Sequence, residues 1–379
     1  SLVSADGMMT CFSRDGQYLG HTSGRWRFAA VGEHVMHRQV DAKTNPLLNF
    51  GLSKRNNVTS EINHWDMFPR GRLMIGQNYY GATLRDIARD TALVQLQTSG
   101  CGFRFNRDGT QLIAVTARGE VHRLPVSVAA TADSIEVVIG PPNRVINSIP
   151  GMPGMFAIGD NDQLLAAPIF GTPQILNMAS GQLQTKYQPR HIMAFWGDVS
   201  PSGRFVATGA FHGSNVQVHD AETGKLVQTF KSGSACPWFS PDERHLAIVE
   251  LGQYSFVDTK TWKVVHEIQT TSRGIWPGGL AYTFDGKLIA IEDGTRIRLL
   301  ESERFSTLAE FPLSADHVVE SIRFTPDTGY LIVGGGDEKP THVWNLNKIR
   351  EQLQAMNLDW NHSAAVPPDQ LDANKPLRL

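Results

Sequence analysis

The strongest constraint on this chain is a phrase that recurs along it: an apolar residue, a polar turn, then an apolar run. It reads FSRDGQYLG (12–20), FPRGRLMIG (68–76), FNRDGTQLIA (105–114), GDNDQLLA (159–166), VSPSGRFVA (199–207), FSPDERHLA (239–247), TFDGKLIA (283–290) and FTPDTGYLI (324–332). With the second turn residue as marker (Gly16, Gly71, Gly109, Asp162, Gly203, Glu243, Gly286, Thr328), the steps are 55, 38, 53, 41, 40, 43 and 42 residues. A period of about 40–45 residues denotes an array of one small β unit. Insertions at 41–61 and 125–155 account for the two long steps.

The unit is clearest between Ala194 and Phe230. Four runs rich in β-formers (Ala194–Ser200, Phe205–Gly209, Asn215–Asp220, Lys225–Phe230) are separated by Pro-Ser-Gly, His-Gly-Ser and Glu-Thr-Gly turns, where Gly supplies positive φ and Pro presets it. A four-stranded antiparallel unit cannot bury both faces alone, so each needs a copy on either side. The expected fold is all-β: a closed β-propeller of four-stranded antiparallel blades, eight of them with seven as the alternative, and a short C-terminal helix. The blades are expected at about 8–40, 62–96, 101–139, 155–187, 194–230, 235–268, 279–311 and 318–346.

Closure is expected from the N-terminus. Residues 1–3 align with Gln228–Phe230, the outermost strand of the best repeat, whereas the last repeat turns helical after three strands. The remnant would complete that blade and remove an exposed edge. Residues 1–346 then form the propeller, and 347–379 a helix with an extended tail on the last blade. Asn347 is the expected N-cap, with Ile349, Leu353 and Met356 in one stripe that packs with Leu358 and Trp360.

Composition narrows the function classes. Hydrophobic residues are 41% and charged ones 19%, ordinary for a globular chain, and the formal net charge of −2 supplies no field for nucleic acid or an anionic membrane. Cys11, Cys101 and Cys236 stand singly, neither a zinc pattern nor a disulfide framework, which favours a reducing compartment such as the cytoplasm. No apolar run approaches the ~18 residues of a membrane span, so no direct membrane contact is expected. The chain opens on Ser and stops on Pro-Leu-Arg-Leu, which reads as a segment of a longer protein.

The repeats resemble degenerate WD repeats. The fullest match is VSPSGRFVATGAFHGSNVQVHDAETGKLV (199–227), where His219-Asp220 stands in place of the usual Trp-Asp. The phrase THVWNLNKIREQLQAMNLDW (341–360) resembles the end of WD-repeat regions fused to bacterial serine/threonine protein kinases, and GEVHRLPV (119–126) and SFVDTKTWKVV (255–265) are similar to blade phrases of that family. Only Trp344-Asn345 approaches Trp-Asp, and the usual Gly-His before the first strand is absent, so blade cohesion is expected to rest mainly on packing. Kinase motifs are missing too: Phe284-Asp285-Gly286 is a turn. The resemblance implies a non-catalytic protein- or peptide-binding scaffold or sensor, with any phosphoryl transfer outside this segment. The alternative is a propeller enzyme, lactonase-like or a metal-dependent hydrolase, using a central channel.

No catalytic residue, metal or cofactor is expected. The 13 histidines form no His-x-His or His-Glu-x-x-His pattern. Gly159-Asp160-Asn161-Asp162 lacks the rest of a calcium loop and reads as a turn. Neither a Gly-x-Ser-x-Gly elbow nor a P-loop occurs, and basic residues are not interleaved with aromatics as nucleic-acid binding requires. One pattern stands out. In an antiparallel unit with strands a, b, c and d, the d–a and b–c loops share one end. That end carries His64, Trp65, Tyr79, Tyr80, Phe195, Trp196, Phe211, His212, Arg273 and Trp276. Aromatics and Arg are enriched at binding hot spots, so this face is expected to bind a protein or peptide, with the chain acting as a monomer.

Overall fold

The computed structural model describes residues 2–3, 9–12, 18–22, 26–30, 37–40, 64–78, 81–87, 91–97, 102–116, 119–147, 149, 152–159, 163–169, 173–186, 191, 194–210, 215–271, 277, 279–314, 317–335, 341–360, 371, 375 and 377–378. Each of the eight phrases becomes an antiparallel hairpin, and each hairpin belongs to its own sheet. Among the described residues seven sheets have four strands and the third has six. The first strand of each hairpin, strand a, is Met9–Phe12, His64–Met67, Gly102–Phe105, Met152–Ile158, Ala194–Val199, Ala235–Phe239, Leu280–Tyr282 and Val319–Phe324. Among the described residues no helix is long and apolar enough to cross a membrane.

The repeat phrase has a local physical cause. Gly71, Gly109, Gly203, Glu243, Gly286 and Thr328 all have φ between 57 and 74°, the left-handed region that reverses the chain. In each turn the marker amide donates to the carbonyl three residues back. The residue at that earlier position also closes the hairpin with its side chain: Ser200 Oγ, Ser240 Oγ, Thr283 Oγ1 and Thr325 Oγ1 accept from the amides of Phe205, His245, Leu288 and Tyr330. Short polar side chains that bond nearby backbone are what such turns select.

Bulges recur as well. The c–d pairing shifts register at Leu84/Arg85, Ile175/Leu176, Val218/His219, Phe256/Val257 and Leu299/Leu300, one equivalent position in five sheets. A second shift lies early in strand a, at Pro153/Met155, Ala194/Trp196 and Val319/Ser321. Bulges raise local twist and re-aim side chains, and among the described residues apolar side chains of adjacent sheets meet. Between the second and third sheets Phe68 meets Phe105 edge-on at 5.2 Å. Trp196, Cys236, Val249 and Tyr254 share one cluster across the fifth and sixth, and Leu299, Phe311, Phe324 and Trp344 another across the seventh and eighth.

Several strands a lie side by side: His64–Met67 against Gly102–Phe105, then Met152–Ile158, Ala194–Val199 and Ala235–Phe239 in turn; Leu280–Tyr282 against Val319–Phe324, and Val319–Phe324 against His64–Met67.

Several expectations are corrected. Residues 1–3 do not complete the last sheet, because Leu2–Val3 pair with Met9 and Thr10. The outer place beside Thr341–Asn345 is taken by His37–Val40, with Thr341 opposite Val40 and Trp344 opposite His37. A four-pair ladder offers more than the two residues of Leu2–Val3, and 37–40 leads on toward the second sheet.

In the third sheet, Val121–Ala130 runs on past its partner into a second hairpin with Ile135–Ile139, and Asn143–Ile146 takes the outer place beside Val121–Arg123. The tail does not stay on the last sheet. Leu377 and Arg378 add in parallel to Ile135 and Glu136, the Leu371 amide donates to the Arg70 carbonyl, and Leu371 and Leu377 enter the cluster of Phe68, Leu73 and Phe103.

The helix α1 spans Leu346–Ala355, and its N-cap is Asn345, whose side chain accepts from the Lys348 amide. It starts where strand c ends, so Asn345 serves both elements. Ile349, Leu353 and Trp360 pack on the last sheet's cluster, but Met356 and Leu358 are exposed, because Asn357 at φ 56° turns the chain away. Arg350 holds this end by two bonds to Asp359, at 3.0 and 2.9 Å.

Candidate functional site on the innermost strands

One repeat position gathers chemistry. Five residues before each turn marker stand Asp66, Arg104, Ala157, Asp198, Trp238, Ala281 and Arg323 in the second to eighth sheets. In a strand whose neighbours are apolar, the five of these that are charged or aromatic are placed by alternation on the opposite side of the pleat from Met67, Phe105, Val199, Phe239 and Phe324. None of Asp66, Arg104, Asp198, Trp238 and Arg323 is either sealed or freely exposed.

The two aspartates fasten one sheet to the next. Asp66 Oδ2 accepts from the Phe105 amide at 2.7 Å, and Asp198 Oδ2 from the Phe239 amide at 2.8 Å. Donor and acceptor occupy the same repeat positions in both cases. Asp66 Oδ1 also receives Arg104 Nη1 at 3.4 Å, and Asp198 Oδ1 the Val199 amide at 3.0 Å. Tyr254 makes a third link, its hydroxyl donating to the Gly279 carbonyl at 3.0 Å.

These groups form one electrostatic unit. Burial pushes the Asp198 carboxyl up to about 6 against the pull of two amides and of Arg104 and Arg323. Burial holds the Arg323 guanidinium down to about 10, with the like charge of Arg104 acting in the same direction and Asp66, Cys236 and Asp198 opposing it. The Cys236 thiol is pushed well up, by burial first and then by Asp198. Charges from the second, third, fifth and eighth sheets therefore act on one another, beside the neutral Cys236 thiol of the sixth. Arg323 lies over the Trp238 ring at 5.6 Å, and its Nη1 donates to the Ile322 carbonyl at 2.7 Å.

Of the ten residues expected on the partner face, Tyr79, Tyr80, Phe211, His212, Arg273 and Trp276 lie outside the described residues. His64 and Trp65 open a strand opposite Gln77 and Gly76. Phe195 and Trp196 straddle the bulge of Ala194–Val199, with their rings 5.0 Å apart at 72°. Trp196 is only 7% exposed and packs with Cys236, Val249 and Tyr254, whereas Phe195 is half-buried beside it. Trp196 is thus a packing residue between the fifth and sixth sheets, and Phe195 is the side chain of the pair with a face to solvent.

Two loop histidines bear on the expectation that cohesion rests mainly on packing. His191, ahead of the fifth sheet, meets Thr208 Oγ1 at 2.7 Å, and burial holds its imidazole down to about 4. His317, ahead of the eighth, meets His342 at 4.7 Å, and His342 stacks on Trp344 at 5.3 Å. Loop-to-strand polar contact therefore occurs without a Gly-His dipeptide. Near the b–c turn of the seventh sheet, burial pushes the Glu292 carboxyl up to about 7, and its Oε2 accepts from the Gly279 amide at 3.3 Å.

Among the described residues no group of three or more His, Cys, Asp or Glu side chains is disposed to hold a metal ion. No family model and no curated protein matches this chain. The inner-strand cluster escaped sequence reasoning, although its signal was present: a charged or aromatic residue at a constant five-residue offset from the turn marker.

Proposed function

We propose that the second to eighth sheets close into a seven-bladed propeller of the WD-repeat type whose role is recognition of a protein or peptide, with no catalysis of its own. Closure is supported by Val319–Phe324 lying against His64–Met67 and by His37–Val40 completing the last sheet. The first sheet then stands outside the ring, and the blade count falls from eight to seven. The WD-type reading rests on the Ser/Thr-anchored turns, the loop histidines and the 341–360 phrase. That phrase also supports a setting as the monomeric recognition segment of a bacterial serine/threonine kinase.

The observation that carries recognition is the repeated clamp, Asp66 to the Phe105 amide and Asp198 to the Phe239 amide. A frame fixed at its innermost strands loses little ordering entropy on binding and leaves variation to its loops. The d–a and b–c loops, with Tyr79, Tyr80, Phe195 and Phe211, form the proposed face. The test is selection of peptides from a displayed library, then affinity measurement with a Tyr79→Ala/Tyr80→Ala/Phe211→Ala variant and a Lys260→Ala/Lys287→Ala variant of the opposite loops. A loss of about tenfold or more is expected in the first only. Equal loss in both, or loss in the second alone, rejects the assigned face; a wild-type chain that selects nothing rejects peptide recognition.

A further inference from the structure

The clamps leave the cluster with an asymmetry. Both aspartates are tied to backbone amides, Asp198 through both oxygens. The guanidiniums are not matched in the same way. Arg104 reaches Asp66 through one contact of 3.4 Å, and Arg323 forms no ion pair among the described residues; its Nη1 bonds a carbonyl, with no hydrogen bond there from Nε or Nη2. A half-buried guanidinium held on an aromatic face keeps a planar pair of donors that matches two carboxylate oxygens.

We propose that Arg104 and Arg323, the latter carried on Trp238, bind one carboxylate group. The source is either a small organic acid or an acidic side chain of a peptide. This site is independent of the loop face. Asp66 and Asp198 balance the two guanidiniums in charge, so the cluster offers a phosphate dianion no net attraction to offset its larger desolvation cost, and a singly charged carboxylate is preferred. The groups around Asp198 are Arg104 of the third sheet, Arg323 of the eighth, Cys236 of the sixth and Tyr282 of the seventh. Of these, Asp198 alone is placed to change charge in mildly acidic solution, and its protonation raises the net positive charge. Binding therefore tightens as the pH falls through about 6.

The test is calorimetric titration of the 379-residue chain with propionate, inorganic phosphate, acetyl-Gly-Glu-Gly-amide and its Gln counterpart. The expected result is binding of a carboxylate probe in preference to phosphate and the Gln peptide, weakened about tenfold or more in Arg323→Met and in Arg104→Met. Arg323→Lys restores part of the loss, and Asp198→Asn removes the pH dependence while retaining binding. Binding of the Glu peptide alone assigns the side-chain source, and binding of propionate assigns the small acid. The proposal is overturned if wild type binds neither carboxylate probe, if phosphate or the Gln peptide binds as well, or if both Met variants bind like wild type. Should Arg323→Met not fold, Arg323→Lys decides: weakened binding supports the site and unchanged binding refutes it.

Discussion

Asp198 and Phe239 lie in different sheets, yet the carboxylate of the first accepts the amide of the second at 2.8 Å, and Asp66 holds Phe105 in the same way at 2.7 Å. A clamp repeated at one register position acts as a structural joint, and it keeps a carboxylate among buried neighbours. Burial raises the Asp198 carboxyl from 3.8 to about 6, so between those values the folded chain holds more proton than the unfolded one. The contribution of Asp198 to stability therefore falls as pH rises through that window. Asp198→Asn should remove this component from the unfolding free energy measured against pH; an unchanged profile contradicts the assignment.

His191 has the opposite sign. Its folded value lies below its unfolded value, about 4 against 6.5, so the stabilisation from its neutral, buried form is present above 6.5 and is lost as pH falls toward 4. His191→Gln should flatten that acid limb, and it should cost about 1 kcal/mol at neutral pH through the lost bond to Thr208. Chemical denaturation at a series of pH values checks both effects.

Close approach of backbone makes Gly209 irreplaceable. A Cβ there would stand 1.8 Å from the Ala235 carbonyl oxygen of the next sheet, so Gly209→Ala should destabilise by about 1–3 kcal/mol or more. Thr328, a β-branched residue at φ 57°, should respond in the other direction. Thr328→Gly relieves about 1–2 kcal/mol of left-handed strain, offset in part by the freedom of Gly in the unfolded chain. Thermal unfolding of the two variants should move in opposite directions.

The ion pair of Arg72 and Asp86 joins the a–b turn of the second sheet to the end of its third strand by bonds of 2.9 and 2.7 Å, with both side chains buried. Removing the carboxylate takes its ion-pair partner from a buried guanidinium, so Asp86→Ala should cost about 3–5 kcal/mol. Replacing both with apolar residues should cost less, and a double-mutant cycle of unfolding free energies measures the difference.

Cys236 is buried, and its thiol is held well above the usual range. It should resist alkylation in the native chain and react once denaturant unfolds it, which mass spectrometry of iodoacetamide-treated protein tests.

The turn phrase announced the hairpins because its cause is local: in five of them a Ser, Thr or Asn bonds the backbone beside it, and a left-handed residue follows three positions on. The sheets follow from it, since pairing within a hairpin spans only a few residues. For Trp196 core and surface were equally open from the sequence, because its burial depends on Cys236, Val249 and Tyr254 in the next sheet.

The amino-acid sequence by itself therefore determined the repeating unit, its turns and the strand order inside most sheets, all of which arise from contacts between near neighbours in the chain. Only the tertiary structure decided that His37–Val40 and not residues 1–3 completes the last sheet, that Leu377–Arg378 joins the third, and that Asp66, Arg104, Asp198, Trp238 and Arg323 meet. Those choices are made between segments hundreds of residues apart, where several short strands are locally equivalent and the winner is set by ladder length, apolar burial and the pairing of charge.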